Sequence, residues 1–329
     1  MKKLLILIFI LYVPFLQANE VKFKKLNDYQ KNIAGGKTVS VWFGEKTALV
    51  IDGETGPEKR DQKVMTELLR TFDKMFQKYE ETTGVKPRHA GHFKNLAVIE
   101  VSDKVGGGLA HHNQLGIAVG TGFFENLYKR WQQGEKTLDQ IFFYETARNF
   151  WPPEFNRKID YHTTKGINDY GWWTVGFNNA MSIFLPAEIP QITDMHYFGS
   201  NGKQFSDGME KNIIQYQEGN YSWKEGFCIN LMPWNERASL NDLMTALLIQ
   251  LHRENGGNKF IKKLYREIPK LKDLKGRDDY QGARDNFYIA ASLAAEKDLI
   301  DYFTKIRWEI SEKVKKEVSQ KFHGKQHKK

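Results

Sequence analysis

Short apolar runs separated by polar turns open the folded part of the chain. TVSVWF (38–43) and TALVI (47–51) carry the β-branched and aromatic side chains that strands favour, with GEK between them as a short turn. A helix is predicted next, from about Gly56 to Thr82, because Val64, Leu68, Phe72, Met75 and Phe76 recur on one helical face. NLAVIEV (95–101) predicts a third strand. GLAHH and LGIAVG predict further strand segments around a glycine-rich turn, VGGGLAHH, which lacks the Lys-Ser/Thr ending of a phosphate loop.

Beyond Gly120 the periodicity turns helical. FFENLYKRW predicts one helix, and TLDQIFFYETARNF the next, with Thr137 as its N-cap and Pro152-Pro153 as its stop. A loop over 154–170 leads to a helix containing WWTVGFNNAMSIF, and residues 186–239 show little regular pattern. SLNDLMTALLIQLHREN (capped by Ser239), NKFIKKLYREI, YQGARDNFYIAASLAAE and DLIDYFTKIRWEISEKVKKEV predict a helical C-terminal part. The expected class is α+β: an N-terminal mixed β-sheet with helices, followed by a mainly helical C-terminal lobe, with a cleft between them.

The expected divisions are a leader at 1–18, a lead segment at 19–35, an α/β front lobe at 36–153, a mainly helical lobe at 154–312 and a basic tail at 313–329. In the leader, Lys2 and Lys3 precede an apolar run from Leu4 to Leu16, and Gln17-Ala18 offers a cleavage site. That is the pattern of a secretory signal peptide. An N-terminal membrane anchor is the other reading, but the run is short against the about 20 residues of a spanning helix. The mature chain is expected to be exported, periplasmic or extracellular, without a transmembrane segment. Cys228 is the single cysteine, so no intramolecular disulfide forms and stability rests on a large core. The absence of disulfides and the many lysines fit a bacterial exported protein.

The formal charge of +9 is concentrated at the ends. The leader supplies two positive charges, and the tail KVKKEVSQKFHGKQHKK supplies a net six, leaving the body near +1. A nucleic-acid partner is not expected, because such a binder carries its basic patch on the folded surface. The tail is either a solvated helix end or a weak contact for an acidic surface or membrane.

The candidate chemistry lies in FFYETARNFWPP (142–153). Tyr144 and Arg148 are i and i+4, so they leave one face of the helix, with Glu145 one step round. In an H-E-x-x-H helix this spacing lets two imidazoles hold one zinc while the Glu activates its water. Here the pattern is Y-E-T-A-R. Glu145 and Arg148 could form a surface pair. Ile141, Phe142, Phe143, Ala147, Phe150 and Trp151 surround them, however, and a helix apolar nearly all round is buried. A buried Tyr144–Glu145–Arg148 network is then expected.

The helix and the downstream WWTVGFNNAMS resemble the two active-site helices of gluzincin-type zincin metallopeptidases. GGGLAHHNQLGIAVG resembles the sheet and edge strand that precede them. DNFYIAASLAAEKDLIDYFTKIRWEIS is similar to the end of the helical subdomain in the enhancin-like, mucin-directed branch, with Phe303, Trp308 and Ser311 at comparable spacing. The resemblance covers residues 36–312. It implies a zincin-like fold whose three zinc-ligand positions hold Tyr144, Arg148 and Val175, hence no zinc, no other cofactor and no peptidase activity. The partner it implies is a peptide, glycoprotein or glycan. The alternative is an active hydrolase with metal-independent chemistry, in which Glu145 is the general acid/base and Tyr144 or Arg148 stabilises negative charge.

Asn149, Asp169, Trp172, Trp173 and Asn179 are candidates for the cleft. Asp169 could instead cap its helix, and a tryptophan of the pair could instead pack in the core. His111 and His112, adjacent on an expected strand, would point to opposite faces. His89 and His92 have ligand-pair spacing but no acidic neighbours, and His323 and His327 sit i, i+4 in the tail. No oligomeric state is legible.

Overall fold

The computed structural model describes residues 22–29, 37–53, 56–89, 93, 95–160, 172–227, 240–276 and 278–323. The leader, His92, Asp169, Cys228, Ser239 and His327 lie outside these residues, as do the side chains of Trp172 and His323.

The front of the molecule is a six-stranded mixed sheet. In chain order it begins with β1 (Lys22–Tyr29), β2 (Lys37–Phe43) and β3 (Thr47–Asp52), followed by helix α1 (Gln62–Thr83). The two-residue β4 (Arg88–His89) comes next, then β5 (Ala97–Ser102), β6 (Gly108–Ala110), β7 (Gln114–Leu115) and β8 (Ile117–Gly120). The spatial order is β1-β2-β3-β5-β8-β6, with β6 on the edge, and β4 pairs separately with β7. β3, β5 and β8 run parallel to one another. Every residue of β5 and β8 is buried, as expected for strands covered on both faces. The lead segment contributes β1, which the lysine-rich sequence concealed. It pairs antiparallel with β2, and Phe23 packs edge-on against Trp42 at 5.1 Å.

α1 crosses the sheet with Val64, Leu68, Phe72, Met75 and Phe76 all buried, as their spacing predicts. It starts six residues later than expected. Pro57–Lys59 closes a separate 3-10 turn, and the Asp61 carboxylate accepts from the Lys63 and Val64 amides at 2.8 and 3.1 Å, satisfying the orphan donors of the first turn. Gly84, at φ +72°, ends it.

α2 (Thr121–Gln132) leads to β9 (Thr137–Asp139), and α3 (Gln140–Asn149) follows without a loop. Thr137 is therefore not a helix cap. It begins a strand that runs parallel to β10 (Asp194–Tyr197), and its hydroxyl accepts from Arg130 Nε at 3.1 Å. The helical part comprises α4 (Phe155–Lys158), α5 (Trp172–Phe184), α6 (Gly202–Glu218), α7 (Trp223–Phe227), α8 (Leu240–Glu254), α9 (Asn258–Glu267), α10 (Tyr280–Ala295), α11 (Ile300–Lys305) and α12 (Glu312–His323). Between α5 and α6, β10 turns back into β11 (Ser200–Asn201). α6 occupies a stretch in which little regularity was expected. Asn201 and Gln204 form its reciprocal capping box.

The last expected helix is in fact two. Arg307 takes φ +52°, which turns the chain so that Trp308 enters the core against Phe303, Phe287 and Trp173. Its indole donates to the Arg284 carbonyl at 3.2 Å. Ser311 then donates its hydroxyl to Asp285 at 2.6 Å. The fold class is α+β, as the sequence predicts. Among the described residues no helix is long and apolar enough to cross a membrane.

Candidate functional site

α3 is packed between the sheet edge and α5. Phe142, Phe143, Ala147 and Phe150 anchor it in the core, and this fixes which way Glu145 points. Glu145 is 3% exposed and lies under Gly108 of β6: a Cβ on that glycine would be 2.5 Å from Glu145 Cγ. Arg148 Nη1 donates to Glu145 Oε2 at 3.2 Å. Burial pushes the Glu145 carboxyl above its ordinary range, and the Arg148 charge and hydrogen bond oppose that shift. Arg148 Nε is itself buried, with no hydrogen-bond partner among the described residues. Tyr144 and Arg148 are half-buried, and so is Val175 on α5.

His112 joins this neighbourhood. β6 ends at Ala110, so His111 and His112 are not on a strand as expected, but in the turn that leads to β7. Burial first, then the charges of Arg148 and His111, push the His112 imidazole down to about 4. It is therefore neutral over the ordinary pH range.

The donor set does not fit a zinc ion. Zinc takes imidazole, thiolate or carboxylate donors, whereas the three positions assigned by resemblance hold a phenol, a guanidinium and an isopropyl group. A guanidinium stays protonated and repels a cation. Among the described residues, no three His, Cys, Asp or Glu side chains gather as a metal-ligand group.

Of the expected cleft residues, Asn149 and Trp173 are in the core. Asn149 is fully buried and acts as a backbone clamp. Its Oδ1 accepts from the Gly116 amide at 2.8 Å, and its Nδ2 donates to the carbonyls of Gly116 and His111 at 3.0 and 3.2 Å. This interrupts the LGIAVG run, with Gly116 at φ +129° between β7 and β8. Trp173 is fully buried, 4.4 Å from the ring of Phe287. Asn179 is half-buried and accepts from Gln140 at 3.1 Å.

An open cavity of about 610 Å3 lies one helical turn before Glu145, at the start of α3. Ile141 connects the two: it borders the cavity, and its Cδ1 would be 2.9 Å from a Cβ on Gly108. Arg130, Asp139 and His196 form the polar side of the cavity. Arg130 Nη2 donates to Asp139 Oδ2 at 2.6 Å, and His196 Nδ1 is 2.8 Å from Asp139 Oδ1. The Asp139 carboxylate is thus engaged by two side chains, and no helix-capping bond from it is formed. Phe123, Tyr197 and Phe198 form the apolar side. Phe198 is 79% exposed and stands with Gly199 in a two-residue turn, at φ +43° and +83°, between the paired residues Tyr197 and Ser200. Both positive angles suit the twist of a hairpin, but phenylalanine is an unusual occupant of such a position.

The fold is similar to that of an M60 metallopeptidase catalytic domain. The solved structure is the M60 catalytic domain from Clostridium perfringens ZmpC in complex with the sialyl T antigen. It matches with a TM-score of 0.54 and 13% identity over 86% of this chain and 49% of that one. A mutant of a functionally unknown conserved protein from Bacillus anthracis str. Ames matches with a TM-score of 0.55 and 12% identity, over 86% of this chain and 51% of that one. The chain therefore spans about half the length of these M60-like and related structures. No family profile matches the sequence, and no curated protein does.

Neither the cavity nor its polar side was legible in the sequence. Asp139 and His196 are 57 residues apart and meet only because β9 pairs with β10. The one available signal was the dipeptide Phe198-Gly199 between short polar and aromatic runs, a hairpin turn with an aromatic where asparagine is usual.

Proposed function

We propose that the chain is an exported, zincin-like protein without zinc or peptidase activity, which binds a peptide, glycoprotein or glycan beside α3. The observation that carries this is the Arg148–Glu145 ion pair beneath Gly108. It puts a permanent cation where the resemblance assigns a zinc ligand, and it leaves the one candidate acid/base almost without access to water. Tyr144, Arg148 and Val175 are then degenerate ligand positions. The Arg148–Glu145 ion pair lies within α3, and close packing under Gly108 joins the helix to the sheet edge. Binding is supported by the neighbouring cavity, which combines an aromatic wall with the Arg130–Asp139–His196 cluster, and by the displayed ring of Phe198. Stacking and directional hydrogen bonds together suit a sugar or a peptide side chain. The ZmpC domain bound to the sialyl T antigen makes a sialylated O-glycan on a peptide the first ligand to try. The signal-peptide pattern at 1–18 supports export.

One observation favours the metal-independent hydrolase instead: burial raises the Glu145 pKa, as a general acid requires. Against it, Arg148 holds that carboxylate in an ion pair.

Elemental analysis of a His323→Gln/His327→Gln variant, which removes the tail histidines, is expected to find far less than one zinc per chain. Calorimetry with a sialylated O-glycopeptide is expected to show binding that persists in Glu145→Gln. Near-stoichiometric zinc together with peptide cleavage would overturn the proposal, and zinc-free hydrolysis abolished by Glu145→Gln would establish the alternative.

A further inference from the structure

At the other end of α3, past Pro152, lies a second concavity of about 670 Å3. Its charge is one-sided. Lys86, Lys259, Lys262, Lys263 and Arg266 line it, against Glu154 alone. The body of the chain is near +1 overall, so this is a local concentration and not the general basicity of the sequence.

The arrangement is unfavourable for the isolated fold. Lys259, Lys262, Lys263 and Arg266 occupy i, i+3, i+4 and i+7 of α9, and they share a face because Phe260, Ile261, Leu264 and Tyr265 are buried on the other. Like charges at these spacings repel, by a few tenths of a kcal/mol per pair. Lys259 also stands in the first turn of α9, where the helix dipole disfavours a cation. Acidic side chains offset part of this. Glu296 is 2.9 Å from Lys263, Glu267 is 3.3 Å from Arg266, and Glu80 is 4.0 Å from Lys86. The C-terminal end of α1 at Thr83 and Gly84 also faces the groove and offsets a further part. Among the described residues no acid pairs with Lys259 or Lys262.

We propose that this groove binds a compact, multiply charged anion bearing phosphate or sulfate groups. Each ammonium or guanidinium that donates to such a group forms a charge-assisted hydrogen bond, and the bound anion removes the mutual repulsion of the five cations. The cations line a concavity of small-ligand size, which selects a compact anion over a flat membrane surface. The groove is separate from the cavity beside Phe198, so this site stands independently of the ligand proposed there.

The test uses the full chain at low salt, with tripolyphosphate and sucrose octasulfate as probes. At least one is expected to raise the Tm by several degrees, and calorimetry of that probe to give near-unit stoichiometry. The Lys259→Gln/Lys262→Gln/Arg266→Gln variant is expected to bind it at least about tenfold more weakly, because three charge-assisted contacts are lost. Without ligand this variant should melt at or above the wild-type temperature, which shows that it folds. A Lys325→Gln/Lys328→Gln/Lys329→Gln variant, which neutralises the end of the tail, should respond like wild type. No Tm shift with either probe, or equal binding by wild type and the groove variant, would overturn the proposal. So would binding confined to phosphatidylglycerol vesicles, which would indicate a membrane contact instead.

Discussion

The backbone of Gly108 rests directly on the side chain of Glu145. A Cβ at position 108 would stand 2.5 Å from Glu145 Cγ, 2.8 Å from its Oε1 and 2.9 Å from Ile141 Cδ1. The first of these atoms belongs to the stem of a side chain that is 3% exposed, so the overlap cannot be relieved by swinging the carboxylate alone. Gly108→Ala is expected to cost about 1–3 kcal/mol, the usual range for overpacking. Adding Glu145→Ala should recover most of that loss by emptying the space. Urea denaturation of the two single variants and the double variant checks this; equal destabilisation of Gly108→Ala in both backgrounds would place the strain elsewhere.

Arg148 is the cation that accompanies Glu145 in its buried setting. Arg148→Met keeps the stem and removes the charge, leaving an unpaired buried carboxylate, a change that costs about 3–5 kcal/mol when burial is complete and less here, since 18% of the Arg148 side chain is exposed. The sign with pH follows from the raised pKa. A carboxyl that holds its proton more tightly in the folded state than in the unfolded one is best tolerated in acid. Its destabilising effect grows as pH rises from the unfolded carboxyl pKa through the folded one. Removing Arg148 takes away the opposing influence and raises the folded pKa further. The loss of stability should therefore extend to higher pH and be larger in the variant. Denaturation midpoints from mildly acidic to neutral pH test this, and a variant that is uniformly destabilised across that range would refute it.

His112 reports the same cluster from the other side. Its imidazole is pushed down to about 4, by burial first and by Arg148 and His111 after it. A base with a depressed folded pKa contributes stability that is present above its unfolded pKa, about 6.5, and is lost as pH falls toward the folded value. NMR titration is expected to find His112 still neutral well below the ordinary imidazole range. Arg148→Met should raise its pKa by removing the like charge. An unshifted His112 resonance in that variant would mean that the two groups do not interact.

The sequence disclosed what depends on local periodicity and concealed what depends on pairing between distant segments. The strands 38–43 and 47–51 and the apolar face of α1 were legible because each is a short pattern with a single period. The helix around Glu145 was legible too, and so was its burial, since Phe142, Phe143, Ala147 and Phe150 leave no polar stripe. Its start was not. Thr137 looks like a cap, but β10 lies alongside 137–139, an interaction with residues more than 50 positions away. The same long-range pairing brings His196 to Asp139. Asn149 failed differently. It was a candidate for the cleft, but its amide replaces a strand partner for Gly116, a role that no local pattern announces.

Phe198 tests whether the cavity beside α3 is used. A non-glycine residue in the left-handed region costs roughly 1–2 kcal/mol, less for asparagine, whose short polar side chain tolerates it. Phe198 recovers part of this by packing edge-on against Tyr197 at 4.9 Å, but it remains 79% exposed. Phe198→Asn places the preferred residue before Gly199 and should leave the hairpin intact. Its Tm is expected to stay level or rise, by the equivalent of up to about 1 kcal/mol. An aromatic contact with a ligand is worth about 0.5–1.5 kcal/mol beyond the area it buries. Binding of a sialylated O-glycopeptide should accordingly weaken by roughly two- to tenfold in the same variant. Opposite movements of stability and affinity, read by thermal unfolding and calorimetry on one protein, would identify Phe198 as a residue held in strain for its ligand. Unchanged affinity would remove the hairpin tip from the binding site, and a fall in Tm would show that the Tyr197 contact outweighs the strain.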